Sequence, residues 1–253
     1  MLTPRARAEE LLLDYGVSAP EDIDLDAIAL DLGAEVRRAP LNGHEARIVG
    51  VGDRAVIWVD SSKSHRRQRF SLGHELGHWL LHRGSVLYCA SSDIGSDRAR
   101  DAERMANHFA ADLLMPWFLF TSALESFGSA SWEAVAHLSK AFETSRPATA
   151  LRLIHSDRFP AILVCTHASG RRWFQRAASV PDVWYVKNEL DPRTTAFEVL
   201  YGTADGTRSK TISASAWFER RDANRFQVRE QSVRSEQEVY TLLSFVEREA
   251  LRR

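Results

Sequence analysis

Arg69-Phe70-Ser71-Leu72-Gly73-His74-Glu75-Leu76-Gly77-His78-Trp79-Leu80 is the segment that decides the reading of this chain. Phe70, Leu72, Leu76, Trp79 and Leu80 recur at helical spacing around it. On such a helix His74 and His78 stand one turn apart on the same face and can grip one metal ion. Glu75 lies one residue along, within reach of a water on that ion. These residue types in this pattern point to a zinc-activated water used for hydrolysis, with Glu75 as general base. The bland alternative is a surface helix that carries two histidines by accident, and the apolar spacing around the motif argues against it.

A catalytic zinc takes three protein ligands and keeps one position open. His82 continues the series His74, His78. A rise of about 1.5 Å per residue, however, puts it about 12 Å from His74 along the axis, too far to share one ion at ligand distances of about 2 Å. The third ligand is therefore expected from another helix, and Arg98–Leu114 offers one. There Glu103, Ala106, Asn107, Ala110 and Leu114 fall at steps of three and four, so a carboxylate stands over small residues that permit close helix packing. Glu103 is the expected third ligand, and Asn107, one turn below, is expected to support the ligands. Asp101, His108 and Asp112 fall off that face and are expected to stay solvated.

The block from Arg69 to His78, followed by Glu103-Arg104-Met105-Ala106-Asn107-His108-Phe109-Ala110-Ala111-Asp112-Leu113-Leu114-Met115-Pro116, resembles the ImmA/IrrE family of metallopeptidases in order and spacing. A looser likeness covers about the first 155 residues. The resemblance implies a zincin-like metallopeptidase domain holding one Zn2+ per chain, with Mn2+ as a substitute in vitro. His74, His78 and Glu103 would be the ligands and Glu75 the catalytic carboxylate. It also implies a protein substrate, a helix-turn-helix transcriptional repressor whose cleavage derepresses stress-response or mobile-element genes. Two readings from other classes stand beside it: a metal-binding regulator that cleaves nothing, and a partner protein of a toxin-antitoxin or phage-defence pair. The intact Glu75 favours hydrolysis, since a purely structural zinc has no use for a carboxylate beside an open coordination position. The final third does not match the sensor-like, GAF-type domain of the radiation-response members.

With 253 residues, 44% hydrophobic and 26% charged, the chain can bury a substantial core in one large or two smaller domains. No run of about 18 apolar residues appears, and the first ten residues turn acidic before a signal-peptide core could form, so a cytoplasmic protein without membrane attachment is expected. Cys89 and Cys165 are far apart and form no C-x-x-C pair, which excludes a disulfide framework; Cys89 is a candidate redox thiol. A net charge of -1 gives no general attraction to nucleic acid. The one basic run, Lys63-Ser64-His65-Arg66-Arg67-Gln68-Arg69, precedes the motif helix and could steer an acidic segment of a protein substrate.

The expected class is α+β, with three parts: a metallopeptidase domain over 1–125, a helix-turn-helix-like unit over 126–157, and a β-rich sensor or docking domain over 158–253. Helices are expected over Arg5–Tyr15 and over Pro20–Leu32, the latter stopped by Gly33. A hairpin is expected from Arg47–Val51 and Ala55–Val59 about Gly52-Asp53, and its edge is a candidate for holding an extended substrate. Ser131–Phe142 and Ser145–Ile154 read as a helix pair. DNA contact would use Arg146, Thr149 and Arg152, but so few basic residues favour packing or a protein-binding surface. Beyond Phe159 the pattern is strand-like, over Ala161–Cys165, Arg172–Phe174, Phe226–Glu230 and Val239–Val246. Trp173, Trp184, Trp217 and Phe174 are expected in a core rather than a ligand cavity. Tyr88 and His44 are the only candidates found for a further oxyanion donor.

Overall fold

The computed structural model describes residues 3–81 and 97–252. The fold is mixed α+β with two sheets, and the chain divides into two compact units, Met1–Ala123 with Lys140–Ser145, and Leu124–Ser139 with Arg146–Arg253. His82, Tyr88 and Cys89 lie outside the described residues. No helix among the described residues is long and apolar enough to cross a membrane.

The first unit opens with α1 (Pro4–Asp14), where the Thr3 hydroxyl accepts from the Ala6 amide and Pro4 fits the first turn, which needs no N–H. The single helix expected over Pro20–Leu32 is instead a short turn, Pro20–Asp22, followed by α2 (Leu25–Asp31). Two aspartates cause the break. Asp22 accepts from the amides of Ser18 and Ala19, and Asp24 caps a fresh helix by accepting from Asp26 and Ala27. Gly33 ends α2 at φ +80°, where a Cβ would lie 2.4 Å from the Asp53 carbonyl oxygen.

Then come β1 (Ala34–Ala39), β2 (Ala46–Val51) and β3 (Arg54–Asp60). The expected hairpin is β2–β3. The strand that periodicity did not find is β1, which pairs parallel to β3 and makes that strand central, in the order β1-β3-β2. Its Ala-Glu-Val-Arg-Arg-Ala sequence is mostly exposed and carries little β signal of its own. β2 is left as an outer strand.

Helix α3 (His65–Leu81) buries Leu72, Leu76 and Trp79 in the core with Ile57, Val59, Phe109 and Leu113. The Trp79 indole donates to the Leu32 carbonyl at 2.9 Å, and its ring occupies the space left by Gly50 of β2, where a Cβ would meet it at 2.5 Å. The face of α3 that carries Gly73 and Gly77 lies against α4 (Asp97–Leu114). A Cβ on Gly77 would stand 3.0 Å from Ala106 Cα and 3.2 Å from both its carbonyl oxygen and the Phe109 ring; at Gly73 the nearest approach is an ordinary 3.4 Å to Ala110 Cβ. Helix α5 (Trp117–Leu124) follows the Met115-Pro116 break.

In the second unit α6 (Trp132–Ala141) and α7 (Arg146–His155) are the expected helix pair, and α7 lies against β4 (Ala161–His167) and β5 (Gly170–Arg176). Thr149 and Arg152, which a DNA-reading helix would have to present, are buried. The antiparallel sheet runs β5-β4-β8-β7-β6, completed by β6 (Lys210–Ser213), β7 (Gln227–Ser235) and β8 (Glu238–Phe245), with α8 (Thr195–Tyr201) against β7 and β8. Trp184 and Trp217 are core residues. The buried Glu230 accepts from the Trp217 indole at 2.5 Å and the Thr195 amide at 2.8 Å, and Thr195, Ser232 and Thr241 form a hydroxyl chain beside it. Cys165 is buried in β4, where desolvation pushes its thiol up to about 12 and leaves it a poor nucleophile.

The Gly77 contact sets the distance between α3 and α4. Gly77→Val should destabilise the fold by about 1–3 kcal/mol, the usual cost of overpacking, and should weaken metal binding by separating His78 from Glu103. Gly73→Ala should unfold within a few degrees of wild type. Thermal melts with zinc titrations on both variants check this.

Candidate metal centre

His74 and His78 project from one face of α3, four residues apart, and Glu103 faces them from α4. The rings pack edge to face with centroids 4.6 Å apart. His74 Nε2 and His78 Nε2 are separated by 3.0 Å, and each lies 3.2 Å from one Glu103 carboxylate oxygen. The three potential ligand atoms all fall within 4.8 Å of one another. Asn107, one turn from Glu103, holds the other side of His74: its Oδ1 lies 3.0 Å from His74 Nδ1. A carbonyl oxygen only accepts, so the proton resides on Nδ1 and the lone pair of Nε2 points into the cluster.

That geometry passes the test for a cation. With neutral rings, at most one proton is available to reconcile two imidazole nitrogens and a carboxylate that converge on one small space. Two nitrogens and an oxygen are the donor set that suits zinc. The histidine side chains are 18% and 13% exposed but that of Glu103 is 52% exposed, so the site is open on one side. A closed structural site would surround the ion with four protein ligands.

Glu75, next in sequence to His74, is buried. Its carboxyl is pushed up to about 7, first by loss of solvent and second by the nearby Glu103 charge. A divalent cation in the cluster opposes that shift, because it favours the ionised form.

Of the residues singled out in the sequence, the fold brings His74, His78, Glu103 and Asn107 together and buries Glu75 where the Glu103 charge acts on it. Asp101 pairs with Arg104 at the surface and His108 is exposed, as expected. Asp112 is a correction: it is buried, because the turn of α4 that carries it lies against the first unit's core rather than solvent. His44 is exposed in the β1–β2 loop. The basic run does not precede the motif helix as expected: from His65 onward it forms the opening of α3, and it is partly neutralised within the chain, since Arg67 pairs with Glu45 at 2.6 Å and Arg69 with Glu143 at 3.4 Å. Arg69 also donates to the Ile23 carbonyl, so it serves the fold more than a partner. The long-range acid at position 143 leaves no local signal in the sequence that could have revealed this.

The raised Glu75 carboxyl carries a pH signature in the metal-free protein. Below about pH 4.5 it is neutral folded and unfolded. Between 4.5 and about 7 only the unfolded chain ionises, so this group's contribution to stability falls as pH rises, and above 7 the penalty is constant. Glu75→Gln should therefore stabilise chelator-treated protein at pH 8, by up to roughly 3 kcal/mol, and change it little at pH 4.5. Urea melts at the two pH values check the sign.

Comparison with known proteins fits this geometry. The family model described as the IrrE N-terminal-like domain matches residues 29–153, a stretch that contains α3 and α4. The radiation response metalloprotease IrrE of Deinococcus radiodurans is 29% identical over 181 residues, which is 70% of this chain and 54% of that protein, so the chain spans about half the length of this relative. A transcriptional regulator of Mycobacterium tuberculosis shares the fold, with a TM-score of 0.65 at 16% identity over 95% of this chain and 74% of that one. Residues 29–153, which carry both helices of the candidate metal cluster, belong to the IrrE N-terminal-like family, and so place this part of the chain with the ImmA/IrrE proteins.

Proposed function

We propose that this protein is a zinc-dependent endopeptidase of zincin-like architecture, with His74, His78 and Glu103 as metal ligands and Glu75 as general base. The observation that carries the reading is the convergence of the three donors within 4.8 Å beside a buried carboxylate. Bound zinc would supply Lewis acidity toward the scissile carbonyl and lower the pKa of an attacking water. Glu75 takes the proton from that water and returns it to the leaving amine; a cation in the cluster favours the ionised carboxylate that this role requires. Asn107 keeps His74 in the tautomer that leaves Nε2 unprotonated. The free edge of β2 holds the substrate as an added strand, pairing backbone to backbone.

The substrate we assign is a helix-turn-helix repressor, cut to release genes of a stress response or a mobile element. Membership of the family and the likeness to a radiation response metalloprotease support it. The second unit, with no metal cluster among its described residues, is assigned to sensing, partner docking or substrate selection. A cytoplasmic setting fits the buried free thiol of Cys165. The competing reading, a metal-binding regulator that cleaves nothing, draws on the fold shared with a transcriptional regulator. It leaves Glu75 without a purpose.

Purified His74→Ala, His78→Ala and Glu103→Ala proteins should each lose most of their zinc by metal analysis, while His82→Ala keeps it. Full zinc at wild-type affinity in Glu103→Ala would remove the third ligand. Glu75→Gln should retain zinc and still bind a repressor encoded beside this protein, but cleave it about 10²- to 10⁴-fold more slowly. Cleavage at the wild-type rate would show that Glu75 is not the base, and no cleavage by zinc-loaded wild type would favour the regulator.

A further inference from the structure

The outer face of the three-stranded sheet carries a row that the metal centre does not use. Register places Arg37 of β1 and Arg47 of β2 on either side of Trp58 of β3. Both guanidinium groups lie over the indole, at 6.0 and 5.0 Å from its centre. The two cations differ in one respect. Glu35 holds Arg37 at 2.8 Å, whereas Arg47 has no carboxylate partner among the described residues. Further along β2 the same face presents Val49 and Val51, 49% and 82% exposed. So, among the described residues, the outer strand of the sheet offers an edge that no further strand pairs, together with one uncompensated cation and two bare apolar side chains, spaced two residues apart.

We infer that this row is a docking surface for an extended protein segment carrying an acidic side chain opposite Arg47 and apolar side chains opposite Val49 and Val51. An edge strand is completed by a strand, and in an added strand every second side chain falls on the same face, about 4.5–5.5 Å from its neighbour across the ladder. The intervening side chains turn to the face of Ile48 and Gly50, which is the face toward α3. Charge selects the acid, since a cation with no internal partner gains most from one. Trp58 is a positioning residue: stacked on the indole, the Arg47 fork loses less freedom when it pairs. A nucleic acid strand suits the face less well, because Glu35 stands on the same face in the neighbouring row, opposite Val56, and a phosphate backbone leaves the strand edge unpaired. The inference rests on the endopeptidase reading only in making the docked segment part of the substrate.

Binding rather than cleavage tests it. In zinc-loaded Glu75→Gln protein, fluorescein-labelled Val-Thr-Val-Thr-Glu-Thr-Val-Thr-Val should bind about 3- to 10-fold more tightly than the same peptide with a central lysine, the range for an exposed, stacked ion pair. The peptide is symmetric, so strand direction does not matter. Adding Arg47→Glu should invert the order, and Arg37→Gln should leave it unchanged. Equal or undetectable affinities, an order that survives Arg47→Glu, or displacement of the peptide by a single-stranded oligonucleotide would overturn the inference. Absence of acid preference in a protein that cleaves its repressor leaves the peptidase reading standing; acid preference in a protein that cleaves nothing leaves the surface and removes the peptidase.

Discussion

Everything proposed for this chain depends on how closely two helices approach. Gly77 of α3 has no side chain where Ala106 of α4 presents its backbone, and that absence lets Glu103 reach within 3.2 Å of both histidines. The rest of the first unit serves to hold α3 in place. Trp79 is pinned to the Leu32 carbonyl and fills the gap left by Gly50, which ties the motif helix to the end of α2 and to β2 at once. One glycine therefore brings the ligands together, and another brings the outer strand against the helix that carries them.

The electrostatics of the centre follow from that packing. Glu103 stays half exposed while Glu75, one helix away, is desolvated. The same residue type is thereby split into an exposed carboxylate, which we assign as a ligand, and a buried one, which we assign as the base. Such division of labour by environment is how neighbouring carboxylates acquire different roles. The cations show a similar split. Arg67 and Arg69, prominent in the sequence, are neutralised by Glu45 and Glu143, whereas Arg47, which no motif singles out, has no carboxylate partner among the described residues.

The cluster of His74, His78 and Glu103 was legible in the sequence because its information is local. The spacing of His74, Glu75 and His78, and of Glu103, Ala106, Asn107 and Ala110, is dictated by the helical repeat. Strands β2 and β3, and β4, β5, β7 and β8 of the second sheet, were legible for the same reason, through β-branched and aromatic content around turn residues, whereas the short edge strand β6 was not. What escaped depends on partners distant in sequence or on side chains that compete with the helical repeat. Strand β1 owes its existence to pairing with β3 across the hairpin, not to its own polar residues. The split of Pro20–Leu32 turns on Asp22 and Asp24, whose capping bonds compete with a continuous helix. Asp112 reads as a surface acid until tertiary packing buries it.

The claim on which the account rests is that one zinc sits between α3 and α4 on two imidazoles and a carboxylate. X-ray absorption at the zinc edge of the loaded protein reads that ligand set directly. The account expects two imidazole nitrogens and lighter oxygen donors, all at about 2.0–2.2 Å. A sulfur shell at about 2.3 Å, or a third imidazole in place of the carboxylate, would contradict it.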